Sequence, residues 1–144
     1  MRRRLDSQQT ELVGRALLEA ELVRQNFEVA RPIRDKHIDL LVYTPVPFRA
    51  IPIQVKVKTS DGFDVNRKYE QYPGLILAYV WNIHDTPRFF LMTYDEALSV
   101  LGERAQNTPS WRKGSYNTSR PSREMRQRVE GLEDRWEWLR QRLS

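Results

Sequence analysis

A chain of 144 residues without cysteine is long enough to bury one core unaided, and it excludes disulfides and thiolate metal centres. No apolar stretch follows the basic cluster at residues 1–6 and no run reaches membrane-spanning length, so a soluble, cytoplasmic protein with no membrane partner is expected. The net charge of +5 is unevenly placed: up to Glu103 there are 14 Lys+Arg and 14 Asp+Glu, and beyond it 10 and 5, so the excess lies wholly in the C-terminal segment.

Asp6, Ser7 and Thr10 are candidate caps for a first helix, in which Leu12, Val13, Ala16, Leu17, Ala20 and Val23 recur at helical spacing as far as about Asn26. Glu11, Arg15 and Glu19 fall one turn apart on a single stripe. They form either a surface ladder of i, i+4 pairs or a row that presents a carboxylate to the sheet. Residues 27–31 read as a short strand closed by Pro32, and 34–37 as a charged loop in which His37 is either a ligand or proton carrier or, as is usual for a lone histidine in such a loop, simply solvated.

Residues 38–43 (Ile-Asp-Leu-Leu-Val-Tyr) and 51–59 (Ile-Pro-Ile-Gln-Val-Lys-Val-Lys-Thr) are rich in β-branched side chains and are joined through Pro45 and Pro47, which predicts two paired strands. Alternation puts Ile51, Ile53, Val55 and Val57 on one face with Ile38, Leu40 and Val42. Gln54, Lys56, Lys58 and Asp39 fall on the other, either as a chemical site or as the solvated side of an antiparallel pair.

The turn-rich segment 60–67 is expected to run over the surface. Lys68, Tyr69 and Gln71 follow it, as nucleic-acid contacts or as an amphipathic edge. The apolar runs 75–81 and 89–94 read as a buried central strand and its partner, with a hairpin turn at 84–87. Residues 95–102 read as a helix with acids in its first turn and Gly102 as its stop.

From 104 to 120 the composition turns polar, with Trp111 and Tyr116 set among Arg112, Lys113 and Arg120. Such a segment either stacks on bases and holds phosphates or pins itself to the domain through its tryptophan. Pro121 opens a final helix whose Met125, Val129, Leu132, Trp136, Leu139 and Leu143 make one apolar seam. Docking of that seam within the chain is the first reading and a homodimer the second.

An acid on one strand followed by Gln-x-Lys on the next, after a helix that carries glutamates, resembles the PD-(D/E)xK nuclease superfamily (restriction-endonuclease-like) in its variant with glutamine for the second acid. Asp39 matches the first position, and Gln54 and Lys56 the second and third, within a resemblance that runs from about Glu11 to Tyr94. The Pro-Asp pair itself is absent, since His37-Ile38 precedes Asp39. Arg15 sits where the helix glutamate of the family usually falls, which leaves Glu11 as the first substitute and Glu19 as the second.

The resemblance implies an α/β core of helix, mixed four- to five-stranded sheet and helix over residues 1–103. A basic loop and appended helix over 104–144 would pack on the same domain. It also implies Mg²⁺- or Mn²⁺-dependent cleavage of phosphodiesters in nucleic acid, DNA first. Asp39, Glu11, the amide oxygen of Gln54 and a backbone carbonyl near Val55 would hold the metal, and Lys56 would stabilise the developing phosphorane charge. Lys58, Lys68, Arg112, Lys113 and Arg120 are the expected nucleic-acid contacts. Because glutamine removes one negative charge, a catalytically silent nucleic-acid-binding module is an alternative, and a plain interaction protein that dimerises through the terminal seam is another.

Overall fold

The structure is a computed structural model and describes residues 3–144, so the first two residues of the basic N-terminal cluster lie outside the described residues. Helix α1 (Ser7–Arg24) begins at a capping box: Asp6 accepts from the Gln9 N–H at 2.7 Å, and the Gln9 side chain accepts from the Asp6 N–H at 3.0 Å. Its buried stripe is Gly14, Leu18 and Leu22, with Val13 and Leu17 packed beside them. Of the predicted stripe, Val13 and Leu17 pack inward as expected, whereas Leu12, Ala16, Ala20 and Val23 face outward, Leu12 being 52% and Val23 60% exposed. Both stripes have helical spacing. Gly14 decides between them, because it lets the helix backbone approach Val57 more closely than any side chain would allow.

Five strands form the main sheet in the order β1 (Glu28–Ala30), β2 (Leu40–Pro45), β3 (Phe48–Val57), β5 (Ile76–Trp81), β6 (Arg88–Thr93). All neighbours are antiparallel except β3 and β5, whose parallel pairing needs a long connection. That connection carries β4 (Phe63–Asn66) and a 3₁₀ turn (Arg67–Gln71). The segment expected to cross the surface is therefore partly core: Phe63 and Val65 are fully buried, and β4 pairs with β7 (Ser115–Thr118) in a separate two-stranded sheet.

Every residue of β5 is buried, because the sheet is covered on both sides. On one face Leu40, Val42, Ile51, Ile53, Val55, Ala78 and Val80 pack against α1. On the other, Leu77, Tyr79, Trp81, Phe90 and Met92 pack against β4 and α2 (Tyr94–Gln106). Ile38, expected on the first face, joins the second cluster, since the chain has left the regular strand before Leu40. The span of α2 breaks at Gly102, as expected, because φ 78° and ψ 170° there are not helical; a second helical stretch follows the kink as far as Gln106.

The polar segment beyond is not a plain loop. It holds α3 (Pro109–Lys113), which buries Trp111, and then β7. The predicted last helix is two helices, α4 (Arg123–Glu130) and α5 (Trp136–Arg142), with Ser122 rather than Pro121 at the first cap. Between them the chain crosses the edge of β6: the Leu91 N–H donates to Leu132 C=O at 3.2 Å, and the Asp134 N–H to Phe89 C=O at 2.9 Å. The single seam is thereby shared between the two faces of the sheet. Met125 and Val129 fill the α2 side, and Trp136, Leu139 and Leu143 fill the α1 side. The seam thus docks within its own chain, as its first reading has it. Among the described residues no helix is long and apolar enough to cross a membrane.

Candidate functional site

Strand β3 turns Val55 toward α1, where it is 3% exposed, and Gln54 and Lys56 the opposite way, beside Leu77 and Tyr79 of β5. A cleft of about 680 Å³ opens between the start of α1, the end of β3 and β4. Glu11, Gln54, Val55, Lys56, Lys58 and Asp64 line it, as do Arg4 and His84. Glu11 thus meets the Gln-x-Lys strand in one concavity. Glu19, the second candidate, is turned away and takes both oxygens to the Arg31 guanidinium.

Asp64 is the residue that sequence reasoning missed. It projects from β4 between two lysines, with Lys56 Nζ at 3.2 Å and Lys58 Nζ at 2.8 Å from its two oxygens. Its strand is held in place by the Tyr79 hydroxyl, which donates to the Asp64 C=O at 2.7 Å. Burial would raise the Asp64 carboxyl, but the two ammonium groups hold it below its ordinary value. Burial would lower the Lys56 ammonium, yet Asp64 and the hydroxyl of Tyr69, over whose ring it lies at 4.9 Å from the centroid, hold it above. Lys56 is therefore a fixed positive charge at neutral pH. The available signal was the apolar–polar alternation Phe63-Asp64-Val65-Asn66, masked by the turn residues Ser60-Asp61-Gly62 before it.

Asp39 is 4% exposed and does not itself line the cleft; it is tied to the cleft wall only through the Val55 N–H. Its own N–H donates to Ile53 C=O at 2.9 Å, and its Oδ2 accepts from the Val55 N–H at 2.7 Å, so the carboxylate replaces the backbone partner that β2 no longer supplies. Oδ1 has no hydrogen bond, and the nearest cation is Arg15, with Nη1 at 3.7 Å. Burial pushes the Asp39 carboxyl up to about 6; the Val55 N–H and Arg15 oppose this, and Asp35 adds to it. The Gln54 Oε1 is likewise buried without a hydrogen-bond partner. Two adjacent segments thus present orphaned oxygen acceptors, although among the described residues no three acidic or histidine side chains converge as a metal cage.

The other expected nucleic-acid contacts are dispersed. Lys58 lies in the cleft, whereas Lys68 rests over Tyr69, with Nζ 5.7 Å from the ring centroid. Arg112 and Lys113 are exposed on α3, away from the cleft, and Arg120 borders a separate hollow.

No family model matches the chain, and no curated protein matches it. Among solved structures it is similar to a bacterial homing endonuclease, I-Ssp6803I, with a TM-score of 0.60 over 97% of this chain and 95% of that one, at 11% sequence identity. At that identity the likeness is one of fold. The helices and mixed five-stranded sheet of this chain make a nuclease-like α/β core.

Proposed function

We propose that the protein is a divalent-metal-dependent nuclease of the PD-(D/E)xK type, in its glutamine variant, that cleaves phosphodiester bonds of DNA. The observation that carries this reading is the meeting of Glu11, Gln54, Val55 and Lys56 in one cleft, with the Asp39 carboxylate fastened to the Val55 N–H. The orphaned oxygens of Asp39 and Gln54 fit a hard cation, since Mg²⁺ and Mn²⁺ prefer oxygen ligands and Mg²⁺ keeps several waters of its own.

Asp39, Glu11, the Gln54 amide oxygen and the Val55 carbonyl would hold the metal. When bound, it supplies Lewis-acid polarisation of a phosphoryl oxygen. Lys56, kept charged by Asp64, stabilises negative charge as it accumulates on the phosphoryl group and so acts on the transition state more than on bound substrate. Lys58 holds a phosphate beside it, and the two lysines stay oriented because one carboxylate grips both.

A second reading, a metal-free nucleic-acid-binding module, is favoured by Arg15 standing beside Asp39 and by the missing charge at Gln54. Calorimetric titration with Mg²⁺ and Mn²⁺, paired with cleavage assays, separates the two. Asp39→Asn is expected to lose metal binding and cleavage together, while Lys56→Ala keeps the metal and loses cleavage. A wild type that binds neither ion at millimolar concentration, with or without DNA, refutes the enzyme and leaves the binding module.

A further inference from the structure

A second concavity, of about 510 Å³, opens where the end of α2, strand β7 and the start of α4 meet. Three arginines distant in sequence converge on it: Arg104 from α2, Arg120 from the β7–α4 connection and Arg128 from α4. All three are exposed, and among the described residues none is within salt-bridge distance of a carboxylate. Glu124 is the one acid on the same wall, so the hollow keeps a positive excess. The hydroxyls of Thr118 and Ser122 border it as well. Arg128 is positioned rather than loose, because its Nε donates to Val100 C=O at 2.8 Å.

Like charges gathered without counter-charges repel one another, and a compact oxyanion relieves that repulsion. Guanidinium groups bind phosphate oxygens through paired N–H donors, and hydroxyls add further donors, so the chemistry of the wall suits an oxyanion such as phosphate over an uncharged or apolar ligand. The hollow and the cleft also flank one small sheet. Asp64 of β4 borders the cleft, and Thr118 of β7, paired with the neighbouring Phe63, borders the hollow. An ion pair between Asp61 and Arg126 ties the approach to β4 onto α4. Lys58 stands in the concavity on one side of this sheet and Arg120 in the concavity on the other.

We infer that this hollow is a phosphate-binding site that holds the nucleic-acid backbone flanking the bond addressed by the cleft. The inference rests on the cleft reading above and adds a contact that takes no part in cleavage. Point substitutions test it better than truncation, since Met125, Val129 and Leu139 in the same C-terminal segment are core. Binding of a labelled DNA duplex is measured by fluorescence anisotropy in EDTA across a salt series, for wild type, Arg104→Ala/Arg120→Ala and Arg104→Lys/Arg120→Lys.

The alanine pair is expected to lower the slope of log affinity against log salt by about 2 and to weaken binding about tenfold or more at the lowest salt, while the lysine pair keeps most of the slope. An NMR titration with inorganic phosphate, expected to move the amides of residues 118–120 and 122–124, serves as the second arm. If wild type binds and, with Mg²⁺, cleaves the duplex while the alanine pair binds it with unchanged slope, the hollow is refuted and the cleft reading stands. If inorganic phosphate binds at the hollow but the alanine pair leaves duplex binding intact, the occupant is a free phosphate compound and the nucleic-acid assignment falls. A wild type that binds no duplex removes both readings.

Discussion

Substituting Gly14 by alanine perturbs the contact on which the cleft depends. A Cβ at that position would stand 2.3 and 2.4 Å from the two methyls of Val57 and 2.9 Å from its Cβ. Ordinary carbon–carbon contact is about 3.5–4.0 Å, so α1 and β3 must part by on the order of 1 Å. Val57 cannot yield by rotating, because a β-branched side chain has few χ1 states and both methyls are involved. Alanine in a helix gains about 1 kcal/mol over glycine, while overpacking costs about 1–3 kcal/mol. Gly14→Ala is therefore expected to destabilise the domain by up to about 2 kcal/mol, against the direction of helix propensity.

Urea titrations of Gly14→Ala, Val57→Ala and the double variant separate these terms. Once the Val57 methyls are gone, the alanine at 14 becomes neutral or stabilising, and the coupling is about 1–3 kcal/mol. Because Glu11 lies one turn before Gly14, the single variant is also expected to weaken metal binding, and the double variant to recover it. Single effects that add within about 0.5 kcal/mol would refute the close-approach argument.

Asp39 makes stability depend on pH. Its carboxyl is raised from 3.8 to about 6 at a side chain that is 1% exposed, which corresponds to about 3 kcal/mol. The folded state binds that proton more tightly than the unfolded state, so the contribution is fully present below about pH 4 and is lost as pH rises through about 6. In EDTA the wild type is expected to lose stability between pH 4 and 7 while Asp39→Asn loses much less; parallel urea midpoints would contradict the assignment. Asp64→Asn leaves two half-buried lysines without their counter-charge and is expected to cost on the order of 2 kcal/mol, with the Lys56 ammonium titrating at lower pH by NMR; an unmoved Lys56 would show that Asp64 does not set its charge. Gln54→Glu supplies the missing acid and is expected to tighten Mg²⁺ binding in calorimetry, and weaker binding would count against Gln54 as a ligand.

What was legible in the sequence was whatever short-range periodicity encodes. Alternation in 51–59 told Val55 from Lys56, the run 75–81 announced a strand covered on both faces, and the order of Asp39 and Gln54-x-Lys56 after a helix pointed to a nuclease-like fold. Features that depend on which distant segment becomes the partner were not legible. Two stripes of α1 are equally periodic, and only the approach of Gly14 to Val57 selects the buried one. Strand β4 exists because β7, about fifty residues later, pairs with it. Asp64 enters the cleft only through that pairing. The terminal seam looked like one helix because a break at 131–135 leaves its spacing intact, yet the break lets α4 and α5 cover opposite faces of the sheet. Periodicity states which side of an element is apolar, whereas the surface that buries it is chosen by packing among elements far apart in the chain, and tertiary structure alone decides that.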